Sequence, residues 1–254
     1  MKRTAAVKPY RWLAKYYDKF FADFRSPFEL ARGQVLGPIL PRVECACDLA
    51  CGSGTTALWL ARKGIRTYAV DLSPEMCRLA REKAARAGVT LRVIRADMRN
   101  VRLPECVDLI TCEFDAINHV PQKPDLRKVS EAAARALGPG GHFFFDVNNS
   151  LGFKRYWSGT VWFEKPGVVT VMKNAHNAAA DRAWSEVTWF IREEKLWRGY
   201  NERVEEVCWT RDEIRGTLLA VGFDRVRAWD AAQFFRSNPL IGPGCRTVYL
   251  ARRK

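Results

Sequence analysis

The chain has 254 residues, 48% of them hydrophobic, with nine Trp and a formal net charge of +14. That length suits one α/β domain carrying an elaboration and leaves little room for two unrelated domains, while the apolar content excludes a disordered chain. The basic surplus favours anionic ligands such as nucleotides, phosphorylated metabolites, acidic lipids or nucleic acid without choosing among them, and no Lys/Arg block with interleaved aromatics marks a nucleic-acid track.

The basic start Met1-Lys2-Arg3-Thr4 precedes no apolar signal core, and no run is long enough to cross a bilayer, so a cytoplasmic protein is expected. Residues from about Tyr10 to Gly33 read as one or two helices, because Trp12, Leu13, Tyr16, Tyr17, Phe20, Phe21 and Phe24 recur at helical spacing. Apolar strands then alternate with amphipathic helices: Val43 to Leu49, Thr55 to Lys63, Ile65 to Val70, Pro74 to Ala87, Val89 to Ala96 and Val107 to Cys112. That order predicts a doubly wound parallel sheet with right-handed crossovers. Ser73 can cap the helix that Pro74 starts, and Gly88 stops it. A helix from about Pro124 to Leu137 and the strand Phe143-Phe144-Phe145 continue the alternation.

The period then switches to two over Val161 to Phe163, Val168 to Met172, Trp184 to Ile191 and Arg203 to Trp209, which predicts an antiparallel insert. Trp157, Trp162, Trp184, Trp189 and Trp197 either pack that sheet or shape a pocket. Thr210-Arg211-Asp212-Glu213 reads as a capping box opening a helix to Val221, and the strands Phe223 to Trp229 and Thr247 to Ala251 complete the sheet as an antiparallel edge pair. Cys45, Cys47, Cys51, Cys106, Cys112 and Cys208 fall in or beside apolar runs and read as free thiols. Cys47 and Cys51 lack the third Cys of an iron–sulfur spacing, so no metal site is expected.

Three strand ends carry carboxylates. The first strand ends in Asp48 and turns through Ala50-Cys51-Gly52-Ser53-Gly54, small residues where a ligand must approach the backbone. Asp71 closes the second strand, where a carboxylate can accept both hydroxyls of a ribose, and Asp97 closes the third, where it can accept an adenine amino group while Met98 packs on the ring. All three fall at the sheet edge where open α/β folds bind ligands.

DLACGSGT, AVDLSPEM, RADM, the run Asp108 to Val120 and LGPGGHFFFDV together resemble the class I S-adenosylmethionine-dependent methyltransferase family over Val43 to Val147. The resemblance implies a Rossmann-like, mostly parallel seven-stranded sheet with an antiparallel edge strand, and S-adenosylmethionine as cofactor. Ala50 stands where the family commonly has Gly. Ala50, Gly52 and Gly54 would line the methionine portion, Asp71 the ribose, and Asp97 with Met98 the adenine. Tyr16, Asp48, Cys51, Leu72, Met76, Glu113, Phe114, Asn118 and His119 complete the expected cofactor contacts. Tyr16-Tyr17-Asp18 resembles the N-terminal element that folds over the cofactor in small-molecule members, and the insert resembles the roof of amino-sugar and glycine-type N-methyltransferases. The implied organisation is a helical cap at 1–33, a cofactor-binding core at 34–148, the insert over the acceptor site at 149–208 and completion of the core at 209–254.

The expected reaction is methyl transfer to a nitrogen or oxygen of a small-molecule acceptor, anionic acceptors included, by a monomer or homodimer. His119 is the first candidate general base because His titrates near working pH, ahead of Glu113, Asp115 and His176. An RNA or DNA methyltransferase is the first alternative, against which the fourth strand lacks an Asn/Asp-Pro-Pro-aromatic element; Asn238-Pro239 lies outside that context. The second is a non-catalytic module that binds the cofactor.

Overall fold

The computed structural model describes residues 11–234 and 242–254; of residues 11–13, 15, 19 and 21–27 it describes the backbone alone. The expected packing of Tyr10, Trp12, Leu13, Phe21 and Phe24 therefore lies outside the described residues, as does Asn238-Pro239.

The first described element is a single helix, α1 (Arg11–Leu36), which runs through Gly33 to bury Leu36 beneath the sheet. Strand β1 (Cys45–Leu49), helix α2 (Thr55–Ala61), strand β2 (Arg66–Asp71), helix α3 (Pro74–Ala87), and strands β3 (Arg92–Arg95) and β4 (Val107–Cys112) follow. β1 is buried along its whole length, as a central strand covered on both faces must be. The Ser73 hydroxyl accepts the Met76 N–H and Gly88 is left-handed, so α3 starts and stops where its punctuation predicts. Val89, expected in β3, instead donates its N–H to Ala84 and seals the end of α3.

Helix α4 (Lys123–Ala136) passes without a loop into β5 (Leu137–Asn148), whose pairing with β4 jumps from Leu137 to His142, so Gly138-Pro139-Gly140-Gly141 forms an irregularity in the strand. Helix α5 (Ser150–Tyr156), not foreseen, leads into β6 (Gly159–Lys165), β7 (Val168–Asn177), β8 (Arg182–Glu193) and β9 (Leu196–Val207). These four strands make a separate antiparallel sheet in sequential order. Helix α6 (Arg211–Ala220) opens with the Thr210–Glu213 capping box, worth about 1 kcal/mol, and β10 (Phe223–Asp230) and β11 (Arg246–Arg253) complete the main sheet.

The seven-stranded order is β10-β11-β5-β4-β1-β2-β3, with β11 antiparallel to both of its neighbours beside the edge strand. Strand order reverses between β1 and β4, and the crevice beyond their carboxyl ends is where such a sheet receives ligands. The second sheet rests on α1: Tyr16 stacks on Trp189 at 5.8 Å, and Phe20 packs on Trp189 and Phe163. Trp189 and Trp157 pack, whereas Trp162 and Trp197 face outward, 63% and 53% exposed. No helix among the described residues is long and apolar enough to cross a membrane, and no cluster of three or more His, Cys, Asp or Glu among them could hold a metal.

Candidate active site

The turn after β1 needs left-handed backbone three times, at Ala50 (φ 55°), Gly52 (φ 53°) and Gly54 (φ 81°). A Cβ on Gly54 would lie 2.9 Å from the Cβ of Ala80, so this glycine lets α2 pack against α3. Gly52 has open space in that direction, and its N–H donates to Asp71 Oδ2 at 2.8 Å. The Ser73 N–H donates to Asp71 Oδ1, also at 2.8 Å. A carboxylate offers about four lone-pair sites, so Asp71 braces the turn and keeps acceptor capacity toward the crevice. Burial raises its pKa, against the pull of these backbone donors.

Asp48 is spent on the scaffold. Its Oδ1 accepts the Thr111 hydroxyl at 2.8 Å and its Oδ2 the Ala57 N–H at 3.0 Å, joining β1, β4 and the start of α2. Burial pushes its carboxyl up to about 7, with Thr111 opposing. Asp97 is engaged as well: the Arg99 side chain forks onto both of its oxygens, Nε at 3.0 Å from each, and holds its pKa down. Met98 and Leu72 flank it around the crevice.

Beyond β4 the chain enters a strained lip. Phe114 (φ 62°) and Asp115 (φ 52°) are consecutive left-handed residues without glycine, and both N–H groups donate to the buried carboxylate of Asp146, at 2.8 and 3.1 Å. A short 3-10 turn, Ala116–His119, follows. Asn118 is fully buried: its Nδ2 donates to the carbonyls of Asn148 and Val207, and its Oδ1 accepts the Asn148 N–H, which pins the turn between β5 and β9. His119 Nδ1 lies 3.2 Å from the Glu205 carbonyl. A carbonyl only accepts, so Nδ1 carries the proton and Nε2 is the basic atom. Burial lowers the pKa of His119, with Asp115 opposing.

Helix α1 supplies a wall that sequence periodicity did not disclose. The Arg32 guanidinium donates to both Glu113 oxygens, at 3.2 and 2.9 Å, and to Thr56 Oγ1 at 2.8 Å, and it lies over the Trp59 ring. Its buried Nε has no hydrogen-bond partner. Burial pushes Glu113 up to about 7 despite that pairing. One helical turn earlier, Phe28 packs on Phe114 with ring centroids 4.6 Å apart. Asp18 accepts the Ser53 hydroxyl at 2.7 Å and pairs with Lys83, fastening the helix to the turn.

These elements surround one cavity of about 1310 Å³. Of the residues singled out in the sequence, Asp48, Ala50, Cys51, Gly52, Asp71, Leu72, Met76, Asp97, Met98, Glu113, Phe114 and His119 line it. Tyr16, Gly54 and Asn118 do not: Tyr16 is turned under Trp189 and Tyr17 takes the lining position, Gly54 packs on Ala80, and Asn118 braces the lip. His176 sits beside Phe153, away from the cavity, and no insert Trp lines it. Tyr17, Phe28, Arg32 and the β9 residues Arg203 and Glu205 complete the wall. Phe28 and Arg32 share a helix face at i, i+4, but only the folded chain shows that this face meets β4.

Residues 46–141 match the family model described as a methyltransferase domain. Among solved structures, an S-adenosylmethionine-dependent methyltransferase from Clostridium acetobutylicum is 25% identical, with a TM-score of 0.78 over 96% of this chain and 98% of that one. The sugar N-methyltransferase KedS8 from Streptoalloteichus, 22% identical, shares the fold at a TM-score of 0.75 over 94% and 92%. The ubiquinone biosynthesis O-methyltransferase of Pectobacterium carotovorum is 32% identical over 104 residues, 40% of this chain and 42% of that protein. The doubly wound sheet, the small-residue turn after β1 and the methyltransferase-domain match over residues 46–141 together mark the chain as an S-adenosylmethionine-dependent methyltransferase enzyme of Rossmann-like fold.

Proposed function

We propose that the enzyme moves the methyl group of S-adenosylmethionine onto a nitrogen or oxygen atom of a small-molecule acceptor. The observation that carries this reading is the size and composition of this cavity. At about 1310 Å³ it exceeds the roughly 300–1,000 Å³ typical of a single ligand, and its lining joins the turn after β1 to His119 and to Arg203 and Glu205 of the second sheet. Donor and acceptor then share one enclosed space, with residues 149–208 as its roof. KedS8 acts on a sugar nitrogen and the Pectobacterium relative is an O-methyltransferase, so both acceptor atoms occur among similar proteins.

The residues fit the donor. The spare acceptor capacity of Asp71 suits two ribose hydroxyls, Leu72 and Met98 suit the adenine faces, and the unpartnered Nε of Arg32 suits the carboxylate of the methionine portion. Asp97 contributes less than its position suggests, because Arg99 holds both of its oxygens. S-adenosylmethionine supplies an electrophilic methyl group on a sulfonium. The protein's part is alignment, exclusion of water and removal of a proton from the acceptor. The Phe28–Phe114 wall and Arg32 of α1 close one side, and His119 Nε2 is the base, kept neutral by burial and oriented by the Glu205 carbonyl.

Methyl-labelled S-adenosylmethionine and a panel of amino sugars, small amines and phenols test the reading. Label should appear on at least one small acceptor with equimolar S-adenosylhomocysteine released; label on RNA or DNA alone would contradict it.

A further inference from the structure

We propose that Arg246 is a positioning residue of this site, fixing the strained lip and its aromatic wall through one guanidinium that touches the lip, the N-terminal helix and the core sheet. Arg246 opens β11, opposite Asn148 of β5, and is 9% exposed. Its Nε donates to Asp146 Oδ2 at 2.6 Å, and Asp146 is the acceptor that holds Phe114 and Asp115 in left-handed backbone. Its Nη2 lies 3.3 Å from Asp115 Oδ1. The guanidinium carbon lies over the Phe28 ring, 4.3 Å from its centroid, and over the Phe114 ring at 6.0 Å.

Charge explains why a single cation suffices. The groups facing it are Asp115 from the lip, Asp146 from β5 and Glu206 from β9, with Asn148 donating to Asp115 Oδ2 at 2.5 Å and to Glu206 Oε2 at 3.4 Å. Two buried acids, Asp146 and Glu206, and the half-buried Asp115 thus surround one arginine; burial and then Asp115 push the Glu206 carboxyl well up, while Asp146 and Asp115 both lie within ion-pair distance of the guanidinium. Left-handed backbone is costly for residues other than glycine, so the lip holds this shape only while its surroundings over-determine it. A lysine would keep the charge but could not reach Asp146, Asp115 and the Phe28 ring with one rigid fork.

The functional importance of this lip rests on the methyl-transfer reading above; its restraint by Arg246 does not, and the test separates the two. Hydrogen exchange of peptide 113–119 and of the control helix 74–87 is measured without ligand, and S-adenosylhomocysteine affinity by calorimetry, in wild type and Arg246→Lys. Exchange in 113–119 should quicken about ten-fold with 74–87 unchanged, and affinity should fall about ten-fold. Unchanged lip exchange, affinity within two-fold of wild type, or equal acceleration in both peptides would overturn the proposal. If Arg246→Lys does not fold, Phe28→Leu leaves every charge in place and should move both readouts in the same direction; no movement in either would overturn it. Wild type that binds no S-adenosylhomocysteine would contradict the cofactor reading, while the exchange comparison still decides the role of Arg246.

Discussion

Arg32 and Glu113, 81 positions apart, form a buried ion pair at 2.9 Å that joins the N-terminal helix to the carboxyl end of β4. Removing one partner leaves the other charge buried and uncompensated, which costs about 3–5 kcal/mol, so Glu113→Ala should lose stability on that scale in denaturant titration. Arg32→Met should lose comparable stability and also weaken S-adenosylmethionine binding, since it removes the unpartnered Nε.

The same pair gives a pH signature. Glu113 and Asp48 are both raised to about 7 in the folded protein, above their ordinary 4.5 and 3.8. The folded state therefore binds more protons than the unfolded state between those values, and each group's contribution to stability falls as pH rises from about 4 to 7, by at most about 1.4 kcal/mol per pH unit. Above that window it is flat. Chemical denaturation across pH 4.5–8 should show a shallower decline in Glu113→Gln than in wild type; an equal decline would place the linkage elsewhere.

Gly54→Ala should destabilise by about 2–3 kcal/mol without reaching the ligand directly, because its Cβ would sit 2.9 Å from Ala80 Cβ at a φ of 81°. A thermal melt reads this, and a companion Ala80→Gly should recover part of the loss.

For the proposed base, His119→Gln should lower turnover by about 10²–10⁴-fold with little change in S-adenosylmethionine affinity. Because burial lowers its pKa below the ordinary 6.5, the neutral imidazole persists into mild acid, and the acid limb of the rate profile should lie below pH 6.5 in wild type and vanish in the variant.

Much of this was legible in the sequence because it rests on local rules. The caps at Ser73 and Thr210, the stop at Gly88 and the period-two insert follow from hydrogen-bond geometry and side-chain spacing, and they emerge where expected. The acidic strand ends were legible as positions, but the hydrogen-bond partners of two of them were not. Asp48 turns inward to Thr111 and Ala57 and Asp97 is held by Arg99, because what a carboxylate accepts depends on donors remote in the chain or on a neighbour's rotamer. Arg32, Arg246 and Glu206 gave no signal at all. Their meaning comes from long-range pairing, and periodicity carries no information about it. Tyr16 and Tyr17 differ by one position on a helix, about 100° of rotation, and only packing on Trp189 decides which of them faces the cavity.

The central claim is that the cavity beyond β1 and β2 receives S-adenosylmethionine with Asp71 as its ribose acceptor. Calorimetric titration of the whole chain with S-adenosylmethionine, beside Asp71→Ala, tests it most directly. One-to-one binding in wild type, weakened about 10- to 100-fold in Asp71→Ala by the loss of charge-assisted hydrogen bonds, is the result expected. Folded wild type that gives no binding heat at several temperatures, or Asp71→Ala with undiminished affinity, would contradict it.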